Sequence, residues 1–353
     1  MTVLNQVREE LNKKELDALL ITSPYNRRYV TGFTGTSGTC LITKTNALFI
    51  TDFRYTKQAS EQVKGFEIIE HTKSMEEELK HQLQKHQIQR LGFEAEDITF
   101  EKYKQYRENF PQELVDTKGI IESLRLVKTE SEIETIQKAA TIADEAFAHI
   151  LTFIKPGVTE VEVSNELEFF MRKQGATSSS FDIIVASGYR SALPHGVASS
   201  KVIESGELVT MDFGAVYKGY CSDITRTIAV GEVSDELKQL YNTVLEAQKR
   251  GVKHTKAGMT GKEADALTRD YITEQGYGEY FGHSTGHGVG MEVHEAPSLA
   301  PRSLTKLEAG MVVTVEPGIY MEEVGGCRIE DDIVITETGN RVLTHAPKEL
   351  ITV

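Results

Sequence analysis

The 353-residue chain has no tryptophan and only three cysteines, Cys40, Cys221 and Cys327. The cysteines are odd in number, far apart, and form no Cys-x-x-Cys pair. This excludes a disulfide scaffold and a thiolate zinc site, and a reducing cytoplasm is the expected setting. Basic residues are scarce, with 39 Lys and Arg against 53 Asp and Glu, for a formal charge of −14. Such a chain repels phosphate backbones and anionic lipid, so neither nucleic acid nor a membrane is an expected partner. Long apolar runs are also missing. Segments such as 18–21 and 47–50 fall far short of the roughly 20 residues a bilayer span needs. Arg8, Glu9, Glu10, Lys13 and Lys14 interrupt the apolar core that a signal peptide would require. What is present is ordinary for a folded protein: 39% apolar residues before glycine is counted, and 26% charged. Disorder and a collagen-like repeat are excluded. At about 100–200 residues per domain, the length predicts two domains.

The first third alternates short strands and helices. Residues 18–22 form an apolar run followed by Ser-Pro, and Thr39–Thr43 and Ala47–Thr51 flank Lys44-Thr45-Asn46 as a hairpin. Segments 66–69 and 90–93 read as further strands, and the polar stretch 76–87 as an exposed helix. This is an α/β pattern without a metal-ligand or nucleophile constellation, which points to a scaffold. A boundary near 117–128 divides the chain into 1–123 and 124–353.

The second region opens on a capping box, Thr129-x-x-Glu132, with a helical pattern running to about residue 153. Lys155-Pro156-Gly157 breaks it, and a second box, Thr159-x-x-Glu162, starts another helix that stops near Gly175. The segment 155–162 recurs as 256–263, Gln174-Gly175 as Gln275-Gly276, and Glu145-Ala146 as Glu246-Ala247. Two copies are too few for a solenoid, so the pattern predicts a duplicated α/β unit with its halves packed about a pseudo-twofold.

Segments 208–214 and 221–227 read as two strands of a hairpin. A turn at Tyr217-Lys218 sets Asp212 directly opposite Asp223, whereas a turn at Lys218-Gly219 makes them diagonal neighbours. Both registers send the two carboxylates to one face, with Val209, Met211, Phe213 and Ala215 on the other. Two like charges about 5 Å apart repel unless a cation holds them. Next, 282–294 contains His283, His287 and His294 among four glycines. Neutral imidazole is the commonest metal ligand, and the glycines let the backbone approach closely. An apolar strand then ends at Glu316-Pro317-Gly318, and Arg328 and Glu330, two residues apart, share one face of a later strand. Four carboxylates carry −4, which two divalent cations neutralise. Oxygen and imidazole donors without thiolate suit manganese, iron, cobalt or zinc rather than copper(I). Two ions about 3.5–4 Å apart can hold a bridging hydroxide and polarise a carbonyl, which is hydrolytic chemistry.

These motifs resemble the pita-bread metallopeptidase family M24B, in its Xaa-Pro dipeptidase (prolidase) and aminopeptidase P branch. The family pattern is an Asp, a second Asp eleven residues on, a His in Gly-His-Gly, a Glu in Glu-Pro-Gly and a final Glu after an Arg. Asp212, Asp223, His287, Glu316 and Glu330 match it in order. Asn26-Arg-Arg-Tyr29-Val-Thr-Gly-Phe33 and Thr51-Asp-Phe-Arg-Tyr55 resemble segments of the creatinase/prolidase N-terminal domain, so the resemblance covers the whole chain. It implies an α/β (α+β) fold class: a creatinase/prolidase-like N-terminal domain followed by a pita-bread domain with duplicated halves. It also implies two divalent metal ions, manganese foremost with cobalt, zinc or iron as alternatives, held by those five residues.

The implied activity is hydrolysis of the Xaa-Pro bond in proline-containing di- or oligopeptides, by a homodimer. His195 matches a histidine that shuttles protons and contacts substrate, and His294 one that stabilises the tetrahedral oxyanion. His283 matches a pocket histidine near the proline ring and carboxylate. Arg328 matches an arginine that orients the substrate or a metal-bridging carboxylate, and Glu316 doubles as general base. A methionine aminopeptidase-like exopeptidase shares the five ligands, but such proteins usually lack the N-terminal domain. A metal-free creatinase-like hydrolase or binding protein would have lost ligands that this chain keeps. At this level dipeptidase and aminopeptidase P both stay open.

Overall fold

The structure is a computed structural model describing residues 2–322 and 324–353. The chain divides into two compact units, the first ending at Arg125 and the second running from Leu126 to Val353.

In the first unit Ala18–Ile21 is central to a six-stranded mixed sheet. It pairs antiparallel with Thr39–Thr43 and parallel with Arg90–Glu94. Ala47–Thr51 and Glu67–Glu70 extend one side and Glu113–Thr117 the other. Ala18–Ile21, Thr39–Thr43 and Ala47–Thr51 are buried along their whole length because both faces of the sheet are covered. Leu19, Ile21, Cys40, Ile42 and Phe49 enter one apolar cluster, and Ala18, Leu20, Leu41, Leu48 and Ile50 the other. The period-2 alternation of a strand produces this division. The polar stretch forms the helix Met75–Lys85, opened by a Ser74–Glu77 capping box.

The second unit repeats one plan. A long helix, Glu130–Ile150, precedes Glu160–Lys173; later Asp235–His254 precedes Gly261–Glu274. Thr159 and Thr260 cap the shorter helices with the same box, closed by Glu162 and Glu263. The first helix pair covers a sheet of Ile184–Ser187, Glu207–Phe213 and Ile224–Val230, whose inner face supplies Val209, Met211 and Phe213 to the core. The second half has a five-stranded sheet in the order Glu295–Leu299, Gly286–Gly288, Val312–Val315, Asp331–Ile335, Asn340–Val342. Among the described residues no helix is long and apolar enough to cross a membrane.

The acid-bearing strands differ from the sequence expectation in continuity. The anticipated strand 208–214 forms as Glu207–Phe213, whereas 221–227 is broken between Cys221 and Ile224. Glu207–Phe213 and Ile224–Val230 pair in one sheet, while Ala215–Tyr217 and Tyr220–Cys221 pair in another. The switch falls at Gly214, where a Cβ would lie 1.8 Å from the Ser222 carbonyl oxygen. Only glycine permits that crossing. The Lys218-Gly219 turn is the one adopted, with Tyr217 opposite Tyr220. Both turn residues have positive φ, +48° and +82°, as a two-residue hairpin turn demands. Asp212 therefore pairs with Thr225, and the two aspartates are diagonal neighbours. Likewise, the strand expected around 328–332 is two strands, Gly325–Arg328 and Asp331–Ile335, with Ile329 and Glu330 between them.

Candidate metal centre

A cavity of about 490 Å³ opens in the second unit. It is lined by Asp212, Asp223, His195, His283, His287, His294, Glu316 and Arg328. Glu330, the remaining residue anticipated from the sequence, is 1% exposed and reaches the same cluster. Asp223, His287 and Glu330 each offer a ligand atom within 4.8 Å of the others. The strand breaks place these groups. Asp223 follows the end of one short strand, Glu316 follows Val312–Val315, and Glu330 lies between two strands, where carboxylates are released from the ladder.

The hydrogen-bond pattern tests whether cations fit here. Among the described residues, Asp212 Oδ1, Asp223 Oδ1 and Glu330 Oε1 are buried without a hydrogen-bond partner. Leaving such oxygens unpaired in a dry site is costly. His287 Nδ1 donates to the Gly288 carbonyl at 3.1 Å, which leaves the Nε2 lone pair facing Glu316 Oε1 at 3.3 Å and Asp223 Oδ2 at 3.7 Å. Burial, then the neighbouring His294, lowers the His287 pKa to about 4, so the ring is neutral and its lone pair faces carboxyl oxygens. A cation between them would take the lone pair and the carboxyl oxygens as ligands, displacing the carboxyl protons. Orienting the other ring nitrogen in this way is how proteins prepare a histidine ligand. The donor set fits divalent metal.

The carboxylates show the same strain in their proton affinities. Burial pushes Glu316 up to about 8; Arg328 opposes the rise and Asp212 adds to it. Asp223 and Glu330 are raised well above the carboxylate range, first by burial, then by Glu330 and Asp212 for Asp223 and by Glu316 and Asp212 for Glu330. These groups resist ionising together until positive charge is supplied.

Arg328 links several parts of the site. Its Nη2 pairs with Asp212 Oδ2 at 2.5 Å, Nη1 donates to Tyr320 Oη at 2.7 Å and to the Pro194 carbonyl at 3.1 Å, and Nε donates to Thr225 Oγ1 at 3.1 Å. Thr225 in turn donates to Glu330 Oε2 at 2.6 Å. His283 has both ring nitrogens engaged, Nδ1 with the Ser284 carbonyl at 2.8 Å and Nε2 with Tyr320 Oη at 2.9 Å. Its pKa falls to about 4 through burial and then Arg328. The ring is a neutral part of the wall with no nitrogen to spare for a ligand. His294 packs against His287 with the rings tilted at 54° and their centroids 4.2 Å apart.

Several residues of the site were not anticipated. Tyr320 joins Arg328 to His283, and Thr225 joins Arg328 to Glu330. Asp332 is fully buried and accepts the Asp223 backbone N–H at 2.9 Å, fixing the main chain of Asp223. Phe181, Asp182, Ile184, Pro194, Val197 and Ser284 complete the wall. Strand alternation could have found Thr225, two residues after Asp223. Tyr320 and Asp332 carried no local signal.

A carboxylate–histidine cluster of this kind, held on a duplicated α/β scaffold, defines a metal-dependent hydrolase. The chain belongs to metallopeptidase family M24, whose model matches residues 134–337, and residues 4–127 match the creatinase/prolidase N-terminal domain. It is 42% identical over 358 residues to the Xaa-Pro dipeptidase of Pyrococcus horikoshii, covering 99% of this chain and 100% of the relative. Among solved structures, an Xaa-Pro dipeptidase from Bacillus anthracis superposes with a TM-score of 0.98 at 62% identity, covering 99% of each chain. The X-Pro aminopeptidase from Thermotoga maritima superposes at 0.91 with 42% identity, covering 96% of this chain and 98% of that one.

Proposed function

We propose that this metallopeptidase is an Xaa-Pro dipeptidase that uses two divalent ions, manganese foremost, held by Asp212, Asp223, His287, Glu316 and Glu330. The observation that carries the reading is the set of unpaired buried oxygens together with the His287 lone pair turned toward carboxylates. The names of the Pyrococcus and Bacillus anthracis relatives support the dipeptidase assignment. The oxygen-rich, thiolate-free donor set supports manganese. Three buried free cysteines suit a cytoplasmic enzyme, and the family resemblance suggests a homodimer. Residues 1–123 act as scaffold, and 124–353 carry the chemistry.

When bound, the ions polarise the scissile carbonyl and make water acidic enough to act at neutral pH. Glu316 takes the proton of the attacking water. His294 donates to the carbonyl oxygen as negative charge develops on it. His195, exposed at the cavity mouth, passes a proton to the proline nitrogen, which has no N–H of its own and leaves poorly without one. Arg328 holds Asp212 by an ion pair, and the His283 ring forms an apolar wall for the pyrrolidine.

Aminopeptidase P activity is a second reading, favoured by the name of the Thermotoga relative. Hydrolysis of Ala-Pro and Ala-Pro-Ala by protein reloaded with Mn²⁺, beside an EDTA-treated control, separates the two. Cleavage of Ala-Pro alone is expected. Efficient release of Ala from the tripeptide would move the assignment to aminopeptidase P, and EDTA-resistant turnover would refute the metal mechanism.

A further inference from the structure

The imidazole of His195 makes no side-chain hydrogen bond among the described residues, and the residue is exposed. Its position therefore depends on its backbone, in the loop between Ile184–Ser187 and Glu207–Phe213. That loop is gathered by one carboxylate outside the cavity, that of Glu160, the first residue of the helix Glu160–Lys173. Glu160 is fully buried. Its Oε1 accepts from the Ser187 N–H at 2.8 Å and the Ser187 hydroxyl at 2.9 Å. Its Oε2 accepts from the Ser199 N–H at 3.1 Å, the Ser199 hydroxyl at 2.6 Å, and Arg190 Nη1.

Ser187 and Ser199 stand at the two ends of the segment that carries His195, and Arg190 lies inside it. Arg190 Nη2 then reaches across to the Val197 carbonyl at 3.0 Å, closing the segment on itself. The helix start reinforces the grip, since the N–H of Val161 donates to the Ser199 carbonyl and that of Glu160 to the Lys201 carbonyl, each at 3.0 Å. On the cavity side the loop is touched by Arg328 through the Pro194 carbonyl. Five donors converging on one buried carboxylate are more than a helix start requires; Thr159 and Glu162 already supply the capping box.

We infer that Glu160 is a positioning residue for the peptidase reaction: its carboxylate clamps both ends of the His195 loop and so sets where that imidazole meets the substrate. The inference rests on the proton-transfer role proposed for His195. A charge-assisted clamp is about twice as strong as neutral hydrogen bonds. Replacing it with an amide keeps the shape but loses the Arg190 charge pair and turns donors toward donors. Displacement of a catalytic group by about 1 Å can cost on the order of 10²-fold in rate.

The test is a double-mutant cycle between Glu160→Gln and His195→Ala on Mn²⁺-loaded protein with Ala-Pro. Glu160→Gln is expected to lower kcat about 10-fold or more while the metal content per chain stays at the wild-type value. In the His195→Ala background the same change is expected to cost less than about twofold, because nothing is left to position. Glu162→Gln, which weakens the cap of the same helix, is expected to lower the melting temperature and leave kcat unchanged. If Glu160→Gln does not fold, Ser199→Ala removes one clamping hydroxyl and carries the same cycle. An equal loss in both backgrounds, a loss of metal, or a wild-type kcat would overturn the inference. A fully active His195→Ala would remove the His195 role itself, and with it this positioning role; a slow His195→Ala with additive Glu160→Gln would overturn the inference alone.

Discussion

Glu316 and Glu330 stand at facing positions across a shared break in two paired strands. Val315 pairs with Asp331 in one sheet and Gly318 with Arg328 in the next, so the register runs on across the gap with the two glutamates opposite each other. Asp223 has the same relation to Gly214, between the Phe213–Ile224 and Val216–Cys221 pairs. Three of the proposed ligands, Asp223, Glu316 and Glu330, therefore sit where a hairpin passes from one sheet to another, whereas Asp212 lies within a paired strand. Ladder hydrogen bonds lapse there, and side chains are released toward the cavity.

Metal dependence should be separable from folding. Asp223→Asn is expected to abolish binding of at least one ion and nearly all activity. The melting temperature of the metal-free protein should not fall, because an amide replaces one of the crowded buried carboxyls. Elemental analysis and calorimetry on the EDTA-treated protein check both statements. Full metal content in the variant would remove Asp223 from the ligand set.

The metal-free protein should lose stability as pH rises. Glu316 is raised to about 8 by burial, and Asp223 and Glu330 are raised as well. A carboxyl with a raised folded-state pKa binds its proton more tightly when folded than unfolded. Its contribution is complete below the unfolded value near 4.5 and is lost as pH climbs through the folded one. The gap in melting temperature between Mn²⁺-loaded and EDTA-treated protein is therefore expected to widen from pH 5 to pH 8. A constant gap over that range would contradict the proton affinities described here.

His195→Ala should retain metal and lose rate. A positioned proton donor contributes about 10²–10⁴-fold, and its removal should appear in kcat with two ions still bound. The loss should shrink for a substrate whose leaving group needs no protonation, such as an activated Ala ester. An unchanged ratio between the two substrates would refute proton transfer by His195.

Gly214→Ala should disrupt the site from the backbone. The added Cβ would meet the Ser222 carbonyl oxygen at 1.8 Å, and that residue is joined directly to Asp223. Relief requires moving the strand crossing, at a cost of about 3 kcal/mol or more, with metal affinity falling in parallel. Denaturant unfolding and a metal titration measure the two effects. A variant of wild-type stability would show that the crossing can relax.

Much of the fold was legible because its signals are local. The Thr129, Thr159 and Thr260 capping boxes mark helix starts within four residues, and the duplicated 155–162 and 256–263 segments mark the repeated plan. The Thr39–Thr43 and Ala47–Thr51 hairpin follows from two short apolar runs and the polar connection Lys44-Thr45-Asn46. The strand expected at 208–214 is present as Glu207–Phe213, but the one expected at 221–227 is broken at Ser222 and Asp223. The apolar alternation runs straight through Gly214, and only the close approach of Ser222 shows that the chain changes sheets there.

The sequence by itself determined which chemical groups could form the centre, because carboxylate, imidazole and spacing are properties of the chain. It also limited Asp212 and Asp223 to one face, since either admissible turn preserves strand parity. Tertiary structure decided between those turns, turned Arg328 onto Asp212, committed both nitrogens of His283, and brought Asp332 and Glu160 to backbone groups distant in sequence. Those outcomes depend on which donors reach a buried acceptor after the sheets and helices have packed. Nothing in a short segment specifies a partner a hundred residues away.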